Sequence, residues 1–175
     1  TFLISDSSLK KMILPSSVSQ FGHEWCALSY NLNQIDVSIG STQNIMNYKN
    51  DYILLKSDSK SDIFDVLVFA RRNIEYALIP SFIKKIASYA FNNCKRLDIV
   101  EFSRNSQLVS IEYNAFNNSS VSYINFPASL EYIREDSFSE CKYLKEVDFS
   151  SSINLKVIEQ NAFYNCSASK IIIPS

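Results

Sequence analysis

Glycine is nearly absent from this chain: two residues in 175. Turns must therefore rely on Asn, Ser and Asp, which accept unusual backbone angles or bond their own backbone. Histidine occurs once, at His23, so Ser-His-Asp or Cys-His chemistry has a single base available. Cys26 stands three residues away, but the register derived below assigns it to an interior position in a capping turn, a structural role. Four cysteines include no Cys-x-x-Cys pair, which argues against zinc. Asp51, Asp58 and Asp62 lack the Gly and closing Glu of an EF-hand loop and read as a solvated turn. Neither sign of charge is in excess: the net charge is −1, and Lys and Arg are spread along the chain, giving no case for nucleic acid. No apolar run approaches the roughly 20 residues that span a bilayer. The chain therefore reads as no enzyme, with no catalytic, metal or cofactor residues.

What the chain does contain is a period of 47 residues between Ile79 and Ser175. Ile79-Pro80 returns as Phe126-Pro127 and Ile173-Pro174. Ile86, Phe91, Cys94, Leu97, Val100, Phe102 and Leu108 return as Ile133, Phe138, Cys141, Leu144, Val147, Phe149 and Leu155. Each unit splits again, because Ile-x-x-x-(Ala/Ser)-Phe occurs four times with Phe91, Phe116, Phe138 and Phe163 at steps of 25, 22 and 25. Such turns fall in the leucine-rich-repeat range and point to a solenoid whose units bury their apolar faces only by stacking. After each Phe comes an apolar pair at strand spacing: Val100-Phe102, Ile124-Phe126, Val147-Phe149 and Ile171-Ile173. The pair predicts a short inward-pointing strand in a parallel sheet, with the Phe plugging the interior from a helical or 3₁₀ segment opposite. The expected fold class is an α/β repeat solenoid: short parallel strands on one face, short helical or 3₁₀ turns opposite, and an N-terminal β-hairpin-like insertion.

Ile79-Pro80-Ser81, the stretch Ile86 to Cys94 (Ile-Ala-Ser-Tyr-Ala-Phe-Asn-Asn-Cys) and Ile158 to Cys166 (Ile-Glu-Gln-Asn-Ala-Phe-Tyr-Asn-Cys) resemble the BspA-like, or treponemal-type, leucine-rich repeats over about 97 residues. The wording and the abundant Asn and Ser resemble the surface-antigen set of the protist Trichomonas. The resemblance implies a cell-surface or secreted adhesion protein, some relatives of which bind host extracellular-matrix proteins, and it brings no catalytic residues. Leucine-rich repeats generally place a small polar side chain facing inward where Cys94, Ser119, Cys141 and Cys166 stand. These cysteines are therefore read as buried free thiols, with Cys141 and Cys166 on adjacent turns the one pair that could bridge. The sequons at Asn117, Asn118 and Asn165 then have an inward hydroxyl or thiol within them and read as chance matches.

A shift of 65 aligns Pro15, Val18, Phe21, Cys26, Leu32, Ile35 and Val37 with Pro80, Ile83, Ile86, Phe91, Leu97, Val100 and Phe102, so an earlier turn precedes 18 inserted residues. The chain is thus read as one domain: an atypical capping repeat over 1–38, an inserted hairpin region over 39–79, and four regular turns over 80–175. Strand-like runs at 52–55 and 64–69 flank a polar turn, whose tip should be solvated. The chain starts inside a strand-like phrase and ends just after an Ile-Pro-Ser start, as a segment of a longer array would.

Residues flanking the inward pairs should point outward: Gln34, Asp36, Tyr76, Leu78, Ile99, Glu101, Tyr123, Asn125, Glu146, Asp148, Lys170 and Ile172. This ladder is the expected protein-binding face, its partner a host or matrix protein. The alternative is a structural spacer that binds nothing through this face. Lys170 to Ile173 as a bare last strand would also favour end-to-end self-association.

Overall fold

The computed structural model describes residues 8–22, 24–41 and 43–173. It contains fourteen strands in chain order. The N-terminal part holds β1 (Lys11–Leu14), β2 (Gln34–Val37), β3 (Ile45–Tyr48), β4 (Tyr52–Leu55) and β5 (Val66–Ala70). The repeats supply β6 (Tyr76–Ile79), β7 (Lys85–Ile86), β8 (Ile99–Phe102), β9 (Ser110–Ile111), β10 (Tyr123–Ile124), β11 (Tyr132–Ile133), β12 (Glu146–Asp148), β13 (Val157–Ile158) and β14 (Lys170–Ile172).

Each coil carries two strands rather than one. Strands β6, β8 and β10 form one parallel sheet, and β12 and β14 a second, separate one. The Ile of each Ile-x-x-x-(Ala/Ser)-Phe marker ends a two-residue strand, and β7, β9, β11 and β13 pair in parallel along the other side. Inside, Phe91, Phe116, Phe138 and Phe163 stack nearly parallel at centroid distances of 4.6, 4.9 and 5.2 Å. Phe126 and Phe149 form a shorter second stack at 4.6 Å, edge-on to the first. Each such aromatic contact adds roughly 0.5 to 1.5 kcal/mol to the burial of the ring.

The helical or 3₁₀ segments expected opposite the strands are not there: no described residue is helical, and the α/β class is corrected to an all-β solenoid. The reason lies in the backbone on either side of each Phe. Tyr89 and Asn93, Asn114 and Asn118, Asp136 and Glu140, and Asn161 and Asn165 all have φ between 52 and 63°. Two left-handed residues per turn prevent a right-handed helix from propagating. Their N–H groups, with that of the Phe between them, reach across to the next coil instead. Tyr89, Phe91 and Asn93 donate to the carbonyls of Tyr113, Ala115 and Asn117, and Asn114, Phe116 and Asn118 donate to those of Glu135, Ser137 and Ser139. Asp136, Phe138 and Glu140 donate likewise to Gln160, Ala162 and Tyr164. The intervening N–H groups of Ala90, Asn92 and Cys94 close local turns. Among the described residues, seven of the twelve non-glycine residues with positive φ are Asn, and neither glycine has a positive φ, which accounts for a coil built almost without glycine.

At the N-terminal end β3, β4 and β5 pair antiparallel, with a bulge at Ile53/Leu54, and β5 joins β7 in parallel. β4 and β5 thus extend the repeat sheet and wall off two cores. Ile53, Val66 and Val68 face a smaller cluster around Trp25, Cys26, Leu32 and Ile35, while Leu54 and Leu67 face the main core. The polar turn at 57–60 is exposed. In the first turn, Cys26 stands fully buried, and contacts at the 65-residue separation are direct. The Tyr89 hydroxyl donates to the Glu24 carboxylate at 2.8 Å, and Asn92 Nδ2 donates to Ala27 O at 2.8 Å.

Candidate protein-binding face

The parallel register sets the outward residues of β6 to β14 in two rows. Tyr76 lies opposite Ile99, and Ile99 opposite Tyr123; Glu146 lies opposite Lys170. The second row sets Leu78 opposite Glu101 and Asp148 opposite Ile172, with Asn125 exposed just past β10. Tyr76, Leu78 and Tyr123 are about half exposed, at 49, 45 and 51%. The first row changes character along the stack, aromatic and aliphatic on β6, β8 and β10 and charged on β12 and β14, while the second mixes apolar, polar and acidic residues throughout. The change coincides with the break between the two sheets, since β10 and β12 share no strand ladder.

Polar contacts on the face run both between coils and within one. The Tyr76 hydroxyl donates to Glu101 Oε2 at 2.6 Å, which fixes the ring in place, and that carboxylate raises the Tyr76 pKa. Lys170 Nζ meets Glu146 Oε1 at 3.4 Å. Asp148 accepts from the Ser150 N–H at 2.7 Å, and its pKa is lowered by that bond.

Gln34 and Asp36 are not brought onto this face. They lie on β2, which among the described residues pairs only with β1, and there Asp36 meets Lys11 at 2.8 Å and accepts from Gln34 at 2.9 Å. Lys11 holds the Asp36 carboxyl below its usual pKa. The cause of the displacement is the β3–β4 hairpin. Asn47 Nδ2 donates to Ile35 O at 2.7 Å, and Asp51 O accepts the Arg71 N–H at 3.0 Å, so the hairpin turn sits between β2 and β6.

Between that turn and β6 lies a cleft of about 360 Å³, absent from the sequence expectation. Tyr48, Lys49, Tyr52 and Phe82 line it together with Tyr76 and Leu78. Its only sequence signal is the aromatic pair Tyr48 and Tyr52 bracketing a polar turn. The two-residue strands escaped notice as well, since a single inward Ile carries no alternation to read. Along them Arg134 meets Glu159 at 2.6 Å and Lys156 meets Glu131 at 2.8 Å.

The cysteines are free thiols, with Cys26, Cys94 and Cys141 buried and Cys166 partly exposed. Burial pushes the Cys26 and Cys141 thiols up to about 11. Cys141 lies 3.5 Å from the Ser119 hydroxyl and 3.1 Å from Phe116 O. Asn118 Nδ2 donates to Asn93 Oδ1, so this sequon side chain belongs to a ladder between coils. His23 lies outside the described residues. Among those that are described, no group of three His, Cys, Asp or Glu could hold a metal ion, and no helix is long and apolar enough to cross a membrane.

A family model for the BspA type leucine rich repeat region matches residues 64–175 in six copies. The chain belongs to the BspA-type leucine-rich-repeat family. Its described residues form an all-β repeat solenoid. Solved structures similar in fold include the pneumococcal vaccine antigen PcpA, with a TM-score of 0.69 and 23% identity over 93% of this chain and 35% of that one. A leucine-rich cell surface protein from Faecalibacterium prausnitzii aligns with a TM-score of 0.73 and 21% identity over 96% of this chain and 48% of its own. A leucine-rich repeat protein from Eubacterium ventriosum gives 0.66 and 21% over 95% and 49%. The chain thus spans half or less of the length of these proteins. No curated protein matches it.

Proposed function

We propose that this BspA-type module binds a protein partner through the outer face of β6, β8 and β10, in a protein displayed at the cell surface or secreted. The row in which exposed Tyr76 and Tyr123 flank a half-buried Ile99, with exposed Leu78 beside it, carries this reading. Exposed aromatic and aliphatic side chains in register on a rigid sheet are what protein interfaces use. The surface setting is supported by the name of the F. prausnitzii structure, a cell surface protein, and by that of PcpA, a vaccine antigen. Host or extracellular-matrix proteins are the partner class implied by the repeat wording, as is the likeness to Trichomonas surface antigens. The solved structures this chain resembles are a pneumococcal antigen and proteins from Faecalibacterium prausnitzii and Eubacterium ventriosum. Glu101, Asn125, Glu146, Asp148 and Lys170 form the polar rim of the same face, with Ile172 an apolar residue among them.

The triple variant Tyr76→Ser, Ile99→Ser, Tyr123→Ser tests the face. It is expected to bind immobilised matrix proteins or host cells at least about tenfold more weakly, roughly 1.4 kcal/mol, at an unchanged far-ultraviolet spectrum. Binding equal to that of the parent chain would favour the spacer reading.

A further inference from the structure

Among the described residues β6 is the terminal strand of its sheet, hydrogen-bonded to β8 on one side only. The Asp98 N–H donates to Glu75 O at 2.8 Å and the Ser103 N–H to Ile79 O at 2.9 Å, so the backbone groups of alternate residues from 75 to 79 face β8. Those of Tyr76 and Leu78 therefore face the other way. The Tyr52 hydroxyl marks this direction, donating to Leu78 O at 3.3 Å from the hairpin side.

In an uninterrupted array the next coil would cover this edge with its own strand. Here the β3–β4 turn stands off from it and leaves the cleft of about 360 Å³. Natural sheet edges are usually blunted by charge, proline or cover. The edge segment Tyr76-Ala77-Leu78-Ile79 carries no charge and no proline before Pro80. The far wall is aromatic: Tyr48 meets Phe82 edge-on at 5.9 Å, and the Lys49 ammonium lies 5.3 Å from the centre of the Tyr48 ring. Two neighbouring main-chain positions at strand spacing, facing an aromatic wall with a cation at its rim, match a polypeptide in extended form.

We propose that the cleft binds an extended segment of a partner polypeptide as an added strand on β6, with an apolar side chain against Tyr48 and Phe82 and a carboxylate near Lys49. The inference rests on the proposed binding face, with which the cleft shares Tyr76 and Leu78. It adds the conformation of the partner: extended, and held partly through its main chain.

The probe is a displayed library of random linear peptides panned on the whole chain, followed by synthesis of an enriched peptide. The enriched peptides are expected to pair an apolar with an acidic residue and to slow amide exchange at Tyr76 and Leu78. Leu78→Pro removes one edge N–H at a place where strands tolerate proline, and should weaken peptide binding about tenfold. N-methylation of alternate peptide residues should do the same with the protein unaltered. Lys49→Glu should remove the preference for acidic peptides. Tyr123→Ser, outside the cleft, should keep peptide binding while weakening cell binding, which separates this inference from the face it rests on. The proposal is overturned if no peptide is enriched, if enriched peptides leave exchange in β6 unchanged, or if N-methylated peptides bind as well as the parent.

Discussion

Ser137 stands where the neighbouring turns carry Ala90, Ala115 and Ala162, and its buried hydroxyl has no hydrogen-bond partner. An unpaired buried hydroxyl costs roughly 1 to 3 kcal/mol. Ser137→Ala is therefore expected to stabilise the chain by about 1 kcal/mol, seen as a higher urea midpoint at unchanged slope. Asp65 is a buried polar residue of the opposite kind, fully used. Burial alone would raise its pKa, but the Ser57 N–H at 2.9 Å, the Ser57 hydroxyl at 2.8 Å and the Lys84 ammonium at 3.2 Å hold it below the ordinary value. A lowered folded-state pKa contributes stability above the unfolded value, near 3.9, which is lost as the pH falls through the folded value. Asp65→Asn should thus cost roughly 1.5 to 3 kcal/mol at neutral pH. Urea unfolding across a pH series should also show a flatter acid limb below about pH 4 than in the parent.

Arg72 belongs to the scale of elements, because it joins two of them. Only 4% exposed, its guanidinium donates to the carbonyls of Cys26, Ser29, Ala70, Tyr89 and Ala90 and lies over the Phe69 ring at 4.5 Å. Elsewhere the coils are joined by backbone ladders. Where the insertion separates the first turn from the array, this one side chain supplies donors to carbonyls on both sides. Arg72→Met should leave several of these carbonyls unpaired and cost on the order of 3 kcal/mol, measured by thermal or urea unfolding. Lys should rescue it only in part, having fewer donors and no fork. Nothing in the residues around Arg72 announced this role, since a carbonyl cage has no sequence spacing. The inward positions Phe91, Phe116, Phe138, Val100 and Val147 were legible because repetition states them several times over. The nature of the turn was not, for Asn serves helix ends and left-handed backbone alike and only the dihedrals tell them apart. Nor could spacing reveal that the hairpin turn holds β2 away from β6, which takes Asp36 off the face.

At the scale of the molecule, the solenoid is a register made solid. Two stacks of Phe rings and rows of hydrogen bonds between coils leave little freedom in how the outward residues of β6, β8 and β10 sit. A rigid face loses little entropy on binding. The aromatic half of that face adjoins the cleft opened by the insertion, while the charged half begins where the sheet divides. Binding is accordingly expected at the N-terminal half of the array, on β6, β8 and β10. Hydroxyl-radical footprinting of the chain bound to host cells or matrix protein, read by mass spectrometry, tests this most directly. Tyr76 and Tyr123 should be protected, while Tyr30 and Tyr164, 45 and 60% exposed and outside the two rows, should be oxidised as in the free chain. Protection of Tyr30 or Tyr164 with Tyr76 and Tyr123 still oxidised would contradict the account.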